Sequence, residues 1–227
     1  MRAEVVDVAV PQDTIEDWQE IVDILAQVCN VPAALIMRLR DPEIEVFVSS
    51  DSPGNPYTPG DAEHVWDSGL YCETVIRTQN VLHVPDALAD DDWKDNPDVK
   101  LNMVAYLGLP ISLPGGRPFG TICILDDRRN DFNDTVRRLM RRFQAVVESQ
   151  LETLYANQLL GDENKRLTDY LMELQALRGI VPICSSCKSI RDDSGGWHPI
   201  EEYLITHPKA DFSHGLCPSC SRVFAEE

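Results

Sequence analysis

A mixed α+β domain, followed by one long helix and a small metal-bound tail, is the fold class predicted by this chain of 227 residues. Three observations lead to it. Apolar periodicity alternates between helical and extended in the order helix, hairpin, helix with loops, hairpin, which describes an antiparallel sheet with flanking helices. From Asp134 to Arg178 there is no proline, and only Gly161 interrupts a helical pattern too long for a single compact domain. Finally, Cys184-Ser-Ser-Cys187 and Cys217-Pro-Ser-Cys220 place two cysteine pairs close together in the tail. The expected boundaries are 1–133 for the α+β domain, 134–178 for the helix and 179–227 for the tail.

Ile15, Trp18, Ile21, Val22, Leu25 and Val28 recur at helical spacing, with Asp13 or Thr14 as N-cap and Pro32 as the stop. Ala33 to Arg40 and Glu43 to Ser49 read as strands of a hairpin turned at Asp41-Pro42. The proline- and glycine-rich stretch 52–60 reads as loop, and Gly69 to Thr78 as a helix ending near Gln79-Asn80. A short strand, Val81 to Val84, precedes an acidic loop from Asp86 to Asp98. Val104 to Leu113 and Phe119 to Leu125 form a second hairpin around Pro114-Gly115-Gly116.

In the long helix, Leu139, Val146, Thr153, Leu160, Leu167 and Leu174 recur every seventh residue, with Phe143, Gln150, Asn157, Asn164 and Leu171 between them. This heptad pattern predicts packing on the sheet for Leu139 to Val147 and, beyond Leu151, a partner helix in a parallel homodimer. Polar Gln150, Asn157 and Asn164 would favour one register in such a coiled coil.

A hydrophobic content of 43% indicates a globular chain. No apolar run approaches a membrane span and Met1-Arg2-Ala3-Glu4 begins no secretory signal, so a soluble, cytoplasmic protein with reduced thiols and no membrane partner is expected. A formal charge of −18 opposes nonspecific nucleic-acid binding. The basic cluster Arg137, Arg138, Arg141 and Arg142 reads as a solvated helix face balanced by neighbouring aspartates.

Two Cys-x2-Cys turns facing each other supply the tetrahedral sulfur set that Zn2+ prefers, so Cys184, Cys187, Cys217 and Cys220 are the expected ligands of a structural zinc. With no open coordination position the site reads as structural. A zinc-based thiol switch, in which oxidation ejects the metal, is the rival reading. Pro199 to Ile205 predicts one short helix, with Trp197, Tyr203, Leu204 and Phe212 as a core too small to stand alone. His198 and His214 are candidates to replace a cysteine or to support one.

Gly69-Leu-Tyr-Cys-Glu-Thr-Val-Ile-Arg-Thr-Gln79, Leu82-His-Val-Pro-Asp86, Tyr106-Leu-Gly-Leu-Pro-Ile111 and Pro118-Phe-Gly-Thr-Ile-Cys-Ile-Leu-Asp126 together resemble a bacterial GAF domain over residues 13 to 150. The tail, from Val181-Pro-Ile-Cys-Ser-Ser-Cys187 to Cys217-Pro-Ser-Cys220, is similar to a segment that follows PAS, GAF or receiver domains in bacterial signalling proteins. These resemblances imply a sensory module on an antiparallel sheet, a noncovalently bound small molecule and a signalling partner protein. They point to Trp66, Tyr71, Cys72, Trp93, Met103 and Tyr106 as cavity walls, with Arg77 or Asn102 as polar anchors. Some GAF proteins reduce free methionine sulfoxide, but the pocket-loop cysteines expected of them are missing from Asp86 to Asn102. The chain therefore reads as a non-enzyme, with the reductase and a ligand-free dimerising adaptor as rivals. Cys29, Cys72 and Cys123, scattered in apolar segments, read as small core residues.

Overall fold

The computed structural model describes residues 8–177, 180–192, 194–206 and 211–225. They fall into two compact units, Met1–Gln158 and Leu159–Glu227.

The first unit is built on a six-stranded antiparallel sheet in the order β3-β2-β1-β6-β5-β4. Its strands are β1 (Ala33–Arg40), β2 (Glu43–Ser49), β3 (Ala62–His64), β4 (Leu82–Val84), β5 (Ala105–Leu113) and β6 (Arg117–Asp126). Both faces are covered, so the central strands are apolar on both sides instead of alternating with polar residues. In β1, Ala34 and Ile36 enter one core while Ala33, Leu35, Met37 and Leu39 enter the other. β3 lies in a stretch without strand signals. Its residues are all exposed, and its pairing with β2 rests on backbone bonds.

The first core lies beneath α1 (Gln12–Cys29) and the start of α3 (Asp134–Leu177). α1 is capped on Pro11, two residues before the first expected cap, with Asp13 in its first turn where a carboxylate favours the helix dipole. Asn30, in left-handed geometry at φ 52°, closes its C-terminus two residues before Pro32. Trp18 anchors this core with edge-on contacts to Phe47 and Phe119, each at 5.9 Å between ring centroids. Val28, expected on the apolar face, is instead 63% exposed because the helix ends beside it.

α3 starts on Asn133, whose side chain accepts the backbone N–H groups of Thr135 and Val136. Met140, Val147 and Leu151 are fully buried against the sheet, and Leu154 and Tyr155 extend the same stripe. Gln150, expected in a coiled-coil seam, accepts a hydrogen bond from the Trp18 indole at 2.7 Å and donates to Asp17. It is a contact within the first unit because the helix is still packed on α1 at that point.

The second core lies on the opposite face, beneath α2 (Tyr71–Thr78) and the loops around residues 57, 66 and 86–103. α2 starts two residues later than expected. The Glu73 carboxylate reaches back to the N–H groups of Asp67, Ser68 and Gly69 and holds them outside the helix. The acidic loop contains two short 3-10 turns, Ala87–Ala89 and Pro97–Leu101, capped by Asp86 and Asn96.

In the second unit β7 (Ile180–Cys184), β8 (Ile190–Arg191), β9 (Trp197–His198) and β10 (Asp211–Gly215) form a sheet in the order β10-β7-β8-β9. Two short helices, α4 (Ile200–Thr206) and α5 (Pro218–Ala225), complete it. Ile183 and Ile190 are the buried core, with Ile200 and Tyr203 packed on them. Trp197 is half-buried on β9. The side chains of Leu204 and Phe212, expected in this core, lie outside the described residues.

Candidate metal centre and buried polar cluster

The 29 residues between the cysteine pairs return to their starting point through one strand pairing. β10 runs parallel to β7 with Gly215 opposite Cys184, so the chain leaving β10 delivers Cys217 to the end of β7. The first turn closes through Lys188, whose left-handed backbone (φ 64°) lets its N–H reach the Cys184 carbonyl at 3.0 Å. The second pair opens α5, with Pro218 at its first position, where a missing N–H costs nothing.

The four sulfurs all lie within 4.8 Å of one another, and Cys187 and Cys217 are 3.8 Å apart. Sulfurs about 2.3 Å from a tetrahedral zinc would be separated by about 3.8 Å, so the donor set fits such an ion. Burial opposes ionisation of Cys184, but N–H groups of Cys217, Cys187 and Ser186 point at it and bring its thiol down to about 5. Thiolate is the form that binds metal. His198 is held by Asp192 at 2.5 Å and His214 is exposed on β10. Among the described residues neither joins the four cysteines.

In the first unit, Tyr71, Cys72, Met103 and Tyr106 are buried in the second core, with Trp66 and Trp93 partly buried against it. Tyr71 stacks on Tyr106 at 4.6 Å and meets Trp93 at 5.2 Å, and its buried hydroxyl has no hydrogen-bond partner among the described residues. Trp66 donates its indole N–H to Asp41 at 2.5 Å.

Two of the expected anchors lie elsewhere. Arg77 is more than half exposed and paired with Glu73 and Asp67, because Glu73 sits one turn before it on α2. Asn102 is exposed and caps the second 3-10 turn at φ 65°.

Asp98 and Tyr57 form a polar pair at this core that sequence reasoning missed. Both sit in segments read as loop, and no local pattern links residues 41 positions apart. The Tyr57 hydroxyl donates to Asp98 at 2.8 Å. Burial raises the Asp98 carboxyl to about 6, opposed by the Tyr57 bond and reinforced by Glu63. The folded state therefore holds a proton that the unfolded chain releases near 3.8. Between these values folding takes up protons, so this group's contribution to stability rises as pH falls through 6. Asp98→Asn is expected to remove that rise and to stabilise the protein at pH 7 by up to about 3 kcal/mol. Urea unfolding of both forms between pH 4.5 and 7.5 measures it.

The GAF domain family model matches residues 13–151. No curated protein matches the chain by sequence. Similar solved structures include the blue-light absorbing form of the Thermosynechococcus elongatus PixJ GAF domain, at 14% identity and TM-score 0.53, covering 68% of this chain and 96% of that one. A methyl-accepting chemotaxis protein fragment, residues 122 to 287, aligns at 17% identity and TM-score 0.52, covering 62% and 89%. Free methionine-R-sulfoxide reductase from Neisseria meningitidis, in complex with its substrate, aligns at 12% and 0.51, covering 63% and 80%. At these identities the likeness is one of fold.

Proposed function

The chain belongs to the GAF domain family through residues 13–151, and from that membership we propose that it is a non-enzymatic, cytoplasmic signal-transduction sensor. The GAF domain binds a small molecule noncovalently, a two-stranded parallel helix pair transmits the change, and a structural-zinc tail presents a surface to a partner protein. Among its structural neighbours are a GAF domain in a blue-light absorbing form and a methyl-accepting chemotaxis protein fragment, names that support a sensory reading.

The observation that carries it is the change of character along α3. The helix buries Met140, Val147 and Leu151 in the GAF core, then exposes Leu160 (62%), Leu167 (50%) and Leu171 (58%) at coiled-coil spacing. A helix fixed to a ligand-binding domain at one end and apolar beyond it is suited to pairing with a second copy. The aromatic stack of Tyr71, Trp93 and Tyr106, with the Tyr71 hydroxyl and Asp98 beside it, supplies the apolar walls and few polar groups typical of a small-molecule site.

The reductase reading rests on the substrate-bound neighbour. Against it, no cysteine occurs between Asp86 and Asn102. Turnover of free methionine sulfoxide that depends on Cys72 would establish the enzyme and overturn the sensor.

Native mass spectrometry and sedimentation test the proposal together. The expected species is a dimer that retains or takes up a small molecule. Leu167→Glu should weaken association roughly 100-fold or more, since it places a charge in an apolar seam. A monomeric wild type, or a dimer indifferent to Leu167→Glu, contradicts it.

A further inference from the structure

Two thiols meet inside the GAF domain, apart from the tail. Cys72 is on α2 and is 8% exposed; Cys123 is on the central strand β6 and is fully buried, opposite Leu35 of β1 and Gly108 of β5. Three groups converge on the Cys72 sulfur. The Thr121 hydroxyl donates to it at 3.4 Å, the Tyr106 hydroxyl lies 3.5 Å away, and the Cys123 thiol faces it.

The Tyr106 hydroxyl reaches this position because Gly108 has no side chain. A Cβ there would stand 2.0 Å from the hydroxyl oxygen. Tyr106 also stacks on Tyr71, the neighbour of Cys72 on α2, so thiols and aromatic cluster are mechanically joined.

An apolar environment alone makes a thiol unreactive: burial pushes Cys29 up to about 11. At Cys72 the Cys123 interaction is the largest influence and, with the Thr121 and Tyr106 bonds, it outweighs burial and holds the thiol below its ordinary value. The same contact pushes Cys123 up. Cys72, the less deeply buried of the two and the acceptor of the Thr121 hydroxyl, is the sulfur placed to act as nucleophile.

We propose that Cys72 and Cys123 are a peroxide-responsive dithiol that closes to a disulfide tying α2 to β6. In the first step the Cys72 sulfur attacks one peroxide oxygen. An S–O bond forms, the O–O bond breaks, and the leaving hydroxide takes up the proton lost from Cys72 as water. In the second step the Cys123 sulfur attacks the Cys72 sulfenic sulfur, the S–S bond forms, the S–O bond breaks, and the hydroxyl leaves with the Cys123 proton as a second water. In total the two thiols lose two electrons and one peroxide gains them. The closed bond holds the sulfurs at about 2.05 Å and ties α2 to β6 beside the Tyr71–Tyr106 stack.

The test uses the full chain as purified, treated with hydrogen peroxide, alkylated, digested and mapped by mass spectrometry. The expected product is a linked pair of peptides containing Cys72 and Cys123, lighter by two hydrogens than the two thiol peptides and distinguishable by sequence from any tail product. Cys123→Ser should remove the linked pair and let Cys72 accumulate as higher oxygen acids. Thr121→Val should give the same product about tenfold more slowly, the weight of one hydrogen bond to a charged acceptor. Recovery of both residues as free thiols after the tail cysteines have oxidised overturns the proposal. So does oxidation of Cys72 with Cys123 left free.

Discussion

Replacing Cys217 with Ser is expected to unfold the tail and leave the six-stranded sheet intact. Cys217 is 5% exposed, its sulfur lies 3.8 Å from that of Cys187, and its N–H donates to the Cys184 sulfur at 3.3 Å. The variant loses a sulfur ligand and disturbs the meeting of β7 with the chain leaving β10. Two buried isoleucines supply about 1.5–3 kcal/mol each, well short of the conformational entropy of ordering such a tail. The proposed structural zinc would supply about 10–16 kcal/mol and decide the balance. Limited trypsin digestion checks this: cleavage at Lys188 and Arg191 should become rapid in Cys217→Ser, while the thermal transition of the GAF domain stays where it is.

The second large effect lies in the other unit. Trp18→Ala should cost about 3–5 kcal/mol, the range for removing a large buried aromatic side chain, and that is a large share of a domain's stability. Trp18 fills the space between Phe47 and Phe119 and, with Asp17, joins α1 to α3 by a hydrogen bond to Gln150. Trp18→Phe keeps most of the ring contact and loses the indole hydrogen bond, so it should cost less. Denaturant midpoints of the three proteins, followed by near-ultraviolet circular dichroism, order them. Equal midpoints for wild type and Trp18→Ala would mean that α1 does not support the sheet.

How far the sequence disclosed this structure depended on whether a signal was local. β1 and β2 were legible to the residue, because a continuous apolar run in β1 and an alternating one in β2 are divided at Asp41-Pro42 and stop before Ser50. α3 was legible because no proline breaks it, but its packed part runs on past Leu151 through Leu154 and Tyr155, further than the heptad pattern indicated. β3 was not, since three exposed residues paired through backbone atoms leave no trace in side-chain pattern. The start of α2 was displaced by Glu73, whose hydrogen bonds to Asp67, Ser68 and Gly69 replace a conventional cap.

The candidate sites divide in the same way. Cys-x2-Cys spacing is short-range, so the four cysteines that the structure gathers could be named as candidate metal ligands before any fold was known. The aromatic walls came from resemblance, and the structure gathers Tyr71, Cys72, Met103 and Tyr106 while leaving Arg77 and Asn102 at the surface. Tyr57 with Asp98, and Cys72 with Cys123, meet only through the tertiary fold, and nothing in their immediate neighbours marks them. Gln150 shows the converse: its heptad position suggested a seam, while a tryptophan 132 residues away holds it against α1.

X-ray absorption at the zinc edge, on the full chain purified under reducing conditions without chelator, tests the central claim most directly. One zinc per chain, surrounded by four sulfurs at about 2.3 Å, is the predicted result. A zinc shell containing nitrogen or oxygen in place of a sulfur, or a metal-free chain whose tail still resists protease, would contradict it.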